Sequence, residues 1–462
     1  MSERRCDVAV IGAGTAGLAA REAAAAAGAD VVLIERGPGG TTCARVGCMP
    51  SKLLIAAGAA MHGVAEAGRF GIRAGDPRAD GPAVMARLRR HRDRFVEAVR
   101  RDVAALPAGC LIAGRARFLG PTTLQVEGAQ GATRIEARSV VIATGAAPEV
   151  PEVLGPVRDR VLTNETVFEL ADLPASVAVL GAGPVGLELA QALTRLGVRT
   201  VLIDPGDRIG GLGDPEVARA ARAALAAAID LRLGVEVRRA VPDGAGARLT
   251  LAGADGATRE ETFERVLAAA GRSPALDALD LGRAGIALDA YGTPVFDPAS
   301  RRCGTSPIFV AGDAGHERPV LHEARRSGQI AGANAARYPR VEAPARWAAL
   351  SIVYSRPEIA VAGAGFDGEA LARGDWRVGC ADFSDQGRAV AEGEAAGLLR
   401  VYAEPGGRLV GAEMACPGAE HLGHLLAWAV QEGWSAETML DRPFYHPTLE
   451  EGLRTALQDL AG

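Results

Sequence analysis

The sequence predicts an α/β protein with two similar βαβ domains and a separate C-terminal α+β module. Within the first forty residues, a β-branched run, a Gly-rich turn, a run of strong helix formers and a second strand follow one another. The same order returns 169 residues later, from Gly12 to Gly181. A block near the C-terminus, residues 347–462, mixes strand and helix patterns but lacks such a turn between a strand and a long helix.

Each element is predicted from the spacing of its residues. The strands and helix of the first repeat are Val8–Ile11, Leu18–Ala27 and Val31–Ile34, and those of the second are Val177–Leu180, Leu187–Leu196 and Thr200–Ile203. Between the repeats we predict a helix with a buried stripe, Arg87–Ala105, and three short strands, Cys110–Ile112, Thr123–Val126 and Ser139–Ile142. The C-terminal block has strands at Leu398–Ala403 and Leu409–Met414 and helices at Glu420–Glu432 and Leu449–Leu460.

The composition excludes several classes of protein. A formal net charge of −5 provides no general basic field for nucleic acid or an anionic membrane. Seven cysteines spread over 462 residues are not a secreted disulfide scaffold. No uncharged apolar run approaches the ~18 residues of a membrane span, and "MSERRCD" leads directly into "VAVIGAG" without a signal segment. We therefore predict a soluble, cytoplasmic protein of several domains that binds neither nucleic acid nor membrane.

The pattern G-x-G-x-x-G occurs three times, although a chain with 59 glycines in 462 residues contains about one copy by chance. Two copies follow a β-branched run and open a helix: Gly12, Gly14 and Gly17, and Gly181, Gly183 and Gly186. Such glycines let the backbone approach a pyrophosphate, whose charge the helix N-terminus stabilises. The third copy, Gly363, Gly365 and Gly368, leaves too few residues for a crossover helix. We predict dinucleotide binding at the first two, with merely tight turns as the alternative.

An acidic residue ends the second strand of each repeat. Glu35 stands 18 residues after Gly17, and Asp204 stands 18 residues after Gly186. A carboxylate at this position accepts ribose hydroxyl groups and repels the 2′-phosphate of NADP, so Asp204 predicts NAD at the second turn. Arg208, four residues further on, keeps NADP as the alternative.

Two cysteines, Cys43 and Cys48, lie in "GGTTCARVGCMPSK" with four residues between them. A zinc site is not predicted, because no second Cys or His pair stands at zinc-finger spacing. A five-residue step in a regular helix rises ~7.5 Å, which is too far for a disulfide, so a bridge requires a distorted turn, for which Gly47 has the backbone freedom. Pro50 suits the first turn of a following helix, whose N-terminus would favour a thiolate at Cys48. Two buried thiols without chemistry are the alternative.

The joint order of these and further motifs resembles the flavoprotein pyridine nucleotide-disulfide oxidoreductases, and most of all their dihydrolipoamide dehydrogenase branch. The resemblance extends over almost the whole chain. Besides the Gly12 turn with Glu35 and the cysteine segment, it is carried by "VIATGAAPEVP" (Val141–Pro151), "GAGPVGLELA" (Gly181–Ala190), "AAAGRSP" (Ala268–Pro274), "IFVAGDAG" (Ile308–Gly315), "YSRPEIA" (Tyr354–Ala360) and "HPTLEE" (His446–Glu451).

The resemblance implies two Rossmann-like dinucleotide-binding domains, for FAD and NAD, and a C-terminal α+β dimerisation domain. It divides the chain into an FAD-binding domain (1–149), an NAD-binding domain (150–272), a second part of the FAD-binding domain (273–342) and the dimerisation domain (343–462). The residues it places at FAD are Gly12, Gly14, Gly17, Glu35, Lys52, Ala143, Thr144, Gly145 and Asp313. Those it places at NAD are Gly181, Gly183, Gly186, Glu188, Asp204 and Gly271.

The resemblance also gives the cysteines and two charged residues their roles. Cys48 is the thiolate that contacts the flavin, and Cys43 is the thiol that exchanges with substrate. Lys52 and Glu188 form an ion pair beside the flavin ring; taken alone, each is an ordinary surface charge.

His446 is implied as the general acid/base, oriented by Glu451. Its ordinary pKa, near 6.5, suits proton transfer during thiol–disulfide exchange. In the family this histidine reaches the active site of the other subunit, so a homodimer is implied. A turn residue before a proline is the alternative for His446 on its own.

The implied reaction is oxidation of dihydrolipoamide, free or on a lipoyl carrier domain, by NAD⁺. Two departures from the family pattern concern the substrate: Thr41 stands where a glycine is common, and Arg45 replaces the usual asparagine. Because a guanidinium favours an acidic substrate, an NAD(P)H-dependent reductase of a glutathione-like disulfide is the closest alternative. An NADH diaphorase or quinone reductase and a non-catalytic FAD scaffold are the others. Mercuric reductase is disfavoured because no cysteine follows Cys416.

Overall fold

The computed structural model describes residues 2–461, which fold as two compact units. The first unit contains the described residues up to Pro50 together with Arg89–Pro148 and Arg272–Arg346. The second contains Ser51–Leu88, Glu149–Gly271 and the described residues from Trp347 onward. Within the described part of the chain, no helix is long and apolar enough to cross a membrane.

The first unit is built on a sheet whose central strands are parallel. Its strand order is Leu111–Ala113, Val31–Glu35, Ser2–Ile11, Gly131–Ile142, Thr123–Gly128 and Arg115–Phe118, with Ile308–Val310 paired to the end of Gly131–Ile142. A small antiparallel pair joins Ala146–Pro148 to Arg272–Pro274. The helices that lie wholly in this unit are Thr15–Ala26, Thr42–Val46 and Leu321–Arg337. The first and last of these approach closely, because Gly328 and Gly332 lie against the backbone of Ala16 and Ala20.

The second unit contains a parallel sheet and two antiparallel sheets. The parallel sheet has the order Asp230–Leu233, Arg199–Asp204, Ser176–Leu180, Arg265–Ala268 and Val161–Leu162. One antiparallel sheet joins Val235–Asp243, Gly246–Gly253 and Thr258–Phe263, and the other has the order Leu350–Val353, Glu358–Gly363, Leu409–Cys416, Leu398–Ala403 and Arg377–Asp382. Its helices are Pro184–Arg195, Pro215–Ala226, Gly368–Arg373, Gly387–Glu392, Ala419–Gln431, Ala436–Leu440 and Glu450–Ala461.

Two helices contain a boundary between the units, namely Cys48–Ala65 and Gly81–Ala104. Short 3₁₀ turns complete the secondary structure: Ala67–Phe70, Glu152–Arg160, Val167–Glu169, Asp277–Leu279, Leu281–Arg283 and Gly312–Gly315. In the second unit, Leu54, Met85 and Leu88 are almost fully buried in a core with the helix Pro184–Arg195 and the strand Ser176–Leu180.

The predicted fold class is confirmed, including the repeated strand–turn–helix–strand order. The helix predicted at Arg87–Ala105 begins six residues earlier, at Gly81, and the prediction was wrong there. The side chain of Asp80 accepts a hydrogen bond from the N–H of Ala83, at 3.0 Å, and so begins the helix before its arginine-rich part. Sequence analysis did not predict the antiparallel sheet formed by Val235–Asp243, Gly246–Gly253 and Thr258–Phe263.

The third Gly-rich pattern is not a dinucleotide turn. Gly363 ends a strand that pairs antiparallel with Leu409–Cys416. The helix that follows, Gly368–Arg373, has six residues and stops at Gly374, whose φ is 78°. No crossover of the βαβ type is formed there.

Candidate active site

The two Gly-rich turns have the same local geometry. Gly12 and Gly181 adopt φ values of 106° and 114°, which favour glycine, and the Cα of each faces a backbone carbonyl, that of Ala143 or of Ala269. A side chain at either last glycine, Gly17 or Gly186, would collide with the carbonyl oxygen of the first glycine of its own turn. The helices that follow begin at Thr15 and Pro184. Each turn therefore presents a helix N-terminus to whatever lies over the middle glycine.

The acidic residue that ends the second strand is held in the same way in both repeats. Glu35 accepts a hydrogen bond from the N–H of Ala13 at 2.7 Å, and Asp204 accepts one from Ala182, also at 2.7 Å. The other carboxylate oxygen of each accepts a backbone N–H two residues further on, at 2.6 Å for Glu35 and 2.8 Å for Asp204. Both carboxylates are thus fixed beside a Gly-rich turn, where each can also accept ribose hydroxyl groups.

Several polar groups near the first turn fit a flavin dinucleotide. The hydroxyl oxygen of Thr144 is buried without a hydrogen-bond partner in the described part of the chain, and Gly145 next to it adopts a φ of 71°. Asp313 lies in the turn Gly312–Gly315, and burial raises the pKa of its carboxyl group, an effect that Arg272 partly offsets. A buried carboxyl group and a buried hydroxyl group of this kind require a polar partner. The hydroxyl-rich chain of FAD is such a partner.

The cysteine segment folds as two short helical pieces broken at Gly47. Cys43 lies in the helix Thr42–Val46 and is half-buried, whereas Cys48 is exposed and begins the helix Cys48–Ala65. A Cβ atom on Gly47 would lie 3.3 Å from the Cα of Cys43, so the chain folds back on the first cysteine at this point. The sequence predicted this distorted turn and the helix N-terminus at Cys48.

Thr41, the residue before this segment, has an unusual backbone conformation. Its φ is 52° and its ψ is 152°, a region that glycine occupies readily and a β-branched residue does not. Its hydroxyl oxygen accepts a hydrogen bond from the N–H of Ala44 at 3.3 Å and so caps the helix that carries Cys43. Arg45, which follows on the same helix, is half-buried.

Lys52 and Glu188 form an ion pair within the second unit. Lys52 Nζ lies 3.0 Å from Oε1 and 2.8 Å from Oε2 of Glu188, whose side chain is 7% exposed. Glu188 also accepts the backbone N–H of Tyr354 at 3.0 Å. The Lys52 ammonium lies 4.2 Å from the centre of the Tyr354 ring, a cation–π contact that the sequence did not predict.

His446 and Glu451 are joined by a hydrogen bond at the start of the last helix. His446 Nδ1 lies 3.0 Å from Oε1 of Glu451, and the imidazole is 80% exposed. That bond and the N–H of Thr448 lower the pKa of the Glu451 carboxyl group. The imidazole is thereby held with Nε2 as its outward nitrogen.

The remaining predicted residues lie where a strand ends. Ala143 donates its N–H to Ile11, at 2.9 Å, directly after Gly131–Ile142. Gly271 follows Arg265–Ala268, has a φ of 147° and accepts the N–H of Glu149 at 3.0 Å. Ala143, Thr144 and Gly145 thus border the first turn, while Ala269 and Gly271 stand in the corresponding place beside the second.

Comparison with known proteins agrees with these sites. Residues 6–333 match the pyridine nucleotide-disulphide oxidoreductase family, and residues 350–457 match the dimerisation domain of that family. A dihydrolipoyl dehydrogenase of Halobacterium salinarum is 32% identical over 99% of this chain and 96% of its own length. A mercuric reductase of Streptomyces lividans is 32% identical over 98% and 96%. Among solved structures, the Cu(II) complex of the flavoprotein disulfide reductase RclA from Escherichia coli has a TM-score of 0.85, at 21% identity over 98% of this chain and 99% of that one, and shows the shared fold.

The chain belongs to the pyridine nucleotide-disulfide oxidoreductases. It is an oxidoreductase that uses FAD and NAD, and the residues matching the dimerisation domain make it a homodimer. These conclusions confirm the family, the cofactors and the class of enzyme that the sequence predicted.

Proposed function

We propose that this protein is a dihydrolipoyl dehydrogenase, which oxidises dihydrolipoamide with NAD⁺ through a disulfide between Cys43 and Cys48. The observation that carries the proposal is the break at Gly47, where the chain folds back on Cys43 just before Cys48 begins a helix. A redox pair needs such a fold, because the two sulfur atoms must be able to bond. Full-length similarity to a dihydrolipoyl dehydrogenase supports the choice of substrate.

The thiol chemistry occurs at the two cysteines. A thiolate of the dithiol substrate attacks Cys43, the Cys43–Cys48 bond breaks, and Cys48 leaves as a thiolate. The second substrate thiol then displaces Cys43, which closes the disulfide of the product. The substrate has lost two electrons and two protons, and the electron pair resides on the cysteines. Its final acceptor is NAD⁺, so the products are lipoamide, NADH and one proton.

FAD, when bound, supplies the transfer of this electron pair from a thiolate to a hydride acceptor. Gly12, Gly14 and Gly17 would hold its pyrophosphate, Glu35 its ribose, and Asp313 its ribityl chain. Lys52, with Glu188, would place a positive charge beside its ring. The helix N-terminus at Cys48 favours the thiolate that leaves during exchange.

His446 accepts the proton that the attacking substrate thiol loses. Glu451 holds the imidazole by Nδ1, so Nε2 is the nitrogen that takes the proton. In the homodimer, we propose that this histidine serves the cysteine pair of the partner subunit. The four-part division of the chain at residues 149, 272 and 342 and a cytoplasmic location are proposed together with this assignment.

The carboxylate of Asp204 supports NAD as the acceptor. Two backbone N–H groups hold it at the end of its strand, where it would repel a 2′-phosphate. Arg208 is exposed on the loop that follows. Steady-state rates with NAD⁺ and NADP⁺ as acceptors compare the two dinucleotides directly.

The cysteines provide the decisive experiment. With dihydrolipoamide and NAD⁺, the wild type should turn over, whereas Cys48→Ser and Cys43→Ser should not. Both variants should retain FAD, and Cys380→Ser, at a half-buried cysteine of the C-terminal sheet, serves as the matched control. A wild type that reduces quinones with NADH at a rate unaffected by Cys48→Ser, and that does not oxidise dihydrolipoamide, would be a diaphorase instead.

Arg45 favours a second candidate function. This half-buried guanidinium lies between the two cysteines and would attract a carboxylate of the substrate. A reductase of an acidic, glutathione-like disulfide would use it, running the same exchange in reverse with NADPH or NADH. Parallel assays with glutathione disulfide and with Hg(II) would separate this candidate and a mercuric reductase from the proposed dehydrogenase.

A further inference from the structure

A buried carboxylate of the C-terminal sheet contacts the loop that follows Asp204. Glu413, on the strand Leu409–Cys416, is 2% exposed. Its Oε2 accepts hydrogen bonds from the N–H groups of Gly213 and Asp214, both at 2.8 Å, and its Oε1 accepts the N–H of Phe366 at 2.9 Å. A buried charge is tolerated only where such bonds are made, so the position of Gly213 is strongly fixed.

Asp214, the last residue of this loop, is held from the same sheet. It is fully buried, and Arg400 Nη1 lies 2.7 and 2.8 Å from its two carboxylate oxygens. The hydroxyl group of Tyr402 donates to it at 2.6 Å. Asp214 also caps the helix Pro215–Ala226 by accepting the N–H groups of its first turn. Loss of either carboxylate would therefore release the end of the loop.

The other end of this connection is the second Gly-rich turn. Gly210, in the middle of the loop, donates its N–H to the carbonyl oxygen of Ala182 at 2.9 Å. The N–H of the same Ala182 is bonded to Asp204. Gly210 adopts a φ of 61°, and a Cβ atom there would lie 2.6 Å from Cδ1 of Ile359, so the loop is closely packed on the C-terminal sheet as well.

From these contacts we propose that Glu413 is a positioning residue for the dinucleotide. It fixes Gly213 and Asp214, and the loop of residues 205–214 in turn fixes Ala182 and Asp204 at the second turn. The affinity of that turn for the ADP half of NAD then depends on a side chain of the dimerisation domain. The inference rests on the proposed placement of NAD at the second turn.

The test uses the FAD-loaded homodimer and ADP-ribose, a probe that carries the ribose and pyrophosphate of NAD but undergoes no redox reaction. In calorimetric titration, Glu413→Gln should raise the Kd for ADP-ribose about fivefold to tenfold. An amide cannot accept at both ends, so the Gly213–Asp214 contact or the Phe366 contact is lost. FAD content should not change.

The matched control is Glu358→Gln. Glu358 is 4% exposed, lies on the neighbouring strand Glu358–Gly363 and accepts the N–H of Glu420 at 3.1 Å, at a helix start outside the loop. It should lose stability as Glu413→Gln does, while its Kd for ADP-ribose stays within about twofold of the wild type. Equal weakening in both variants would overturn the inference, as would an unchanged Kd in Glu413→Gln.

Two further measurements close the remaining outcomes. If Glu413→Gln does not fold, Tyr402→Phe removes one hydrogen bond from Asp214 and leaves both carboxylates in place. A rise in Kd of about twofold or more then supports the inference, and no rise overturns it. Wild-type binding of ADP-ribose that is absent, or that survives Asp204→Ala, would instead refute the placement of NAD and the inference with it.

Discussion

His446 Nδ1 lies 3.0 Å from the carboxylate of Glu451, and both residues stand at the beginning of the last helix. A histidine with one nitrogen held in this way presents the other for proton transfer. Its exposure within a single chain, 80%, is expected of a group that serves a partner subunit.

We therefore expect His446→Gln to lower kcat for dihydrolipoamide oxidation by about 10²- to 10⁴-fold. Glu451→Gln should cause a smaller loss, roughly tenfold, because the imidazole remains but is no longer oriented. Steady-state kinetics with dihydrolipoamide and NAD⁺ measure both. Wild-type turnover in His446→Gln would contradict a role in proton transfer.

The middle glycines offer a selective test of the two turns. Gly14 and Gly183 have φ values of −77° and −74°, and a Cβ atom on either would meet no protein atom within 4 Å. Gly14→Ala and Gly183→Ala should therefore fold, but each would place a methyl group where a pyrophosphate must approach. Gly14→Ala should be purified with little FAD, and Gly183→Ala should keep FAD but bind ADP-ribose at least about tenfold more weakly.

The last glycines serve as the contrasting controls for these variants. Gly17→Ala and Gly186→Ala would place a methyl group against a carbonyl oxygen of the turn itself. We expect both to lower thermal stability, measured by scanning calorimetry, whether or not a dinucleotide is added. Normal FAD content in Gly14→Ala would refute the assignment of FAD to the first turn.

Thr41 combines backbone strain with a helix cap, and two substitutions separate these effects. Thr41→Ala keeps the unfavourable φ of 52° and loses the hydrogen bond to Ala44, so it should destabilise the protein by about 0.5–1 kcal/mol. Thr41→Gly relieves the strain, and should be more stable than Thr41→Ala by about 1 kcal/mol. Urea unfolding of the oxidised protein measures the difference. An alanine variant as stable as the glycine variant would show that no strain is stored at this residue.

Asp313 makes the stability of the FAD-free protein depend on pH. Burial raises the pKa of its carboxyl group in the folded state, so the protonated form is favoured there. The stability it contributes is complete below the ordinary pKa of aspartate and is lost as the pH rises through the raised value. Asp313→Asn should therefore gain in Tm over the wild type as the pH increases from 4 towards neutrality. A difference in Tm that is constant with pH would contradict the burial of a charge at this site.

The Gly-rich turns were predictable to the residue, because their chemistry is local. Gly12 and Gly181 need a positive φ, and Glu35 and Asp204 end strands whose length the β-branched runs define. The cysteine turn was predictable for the same reason, since Gly47 and the following helix lie within six residues.

Contacts between distant segments could not be predicted in this way. Glu413 bonds to Gly213 across 200 residues of sequence, and nothing near either residue indicates the other. The same holds for Tyr354 beside Lys52, although the motif that contains Tyr354 was recognised. The conformation of Thr41 was also missed, because a threonine gives no signal for a left-handed φ.

The near identity of the two turns has a consequence for ligand choice. Since both glycine sets and both carboxylates are arranged alike, these atoms recognise what FAD and NAD share and cannot tell them apart. The surroundings that differ are a cysteine-bearing segment after Glu35 and a braced loop after Asp204. A chimaera in which only the glycine hexapeptides were exchanged would consequently keep each cofactor at its present address, and reprogramming the enzyme would require transplanting the flanking segments instead.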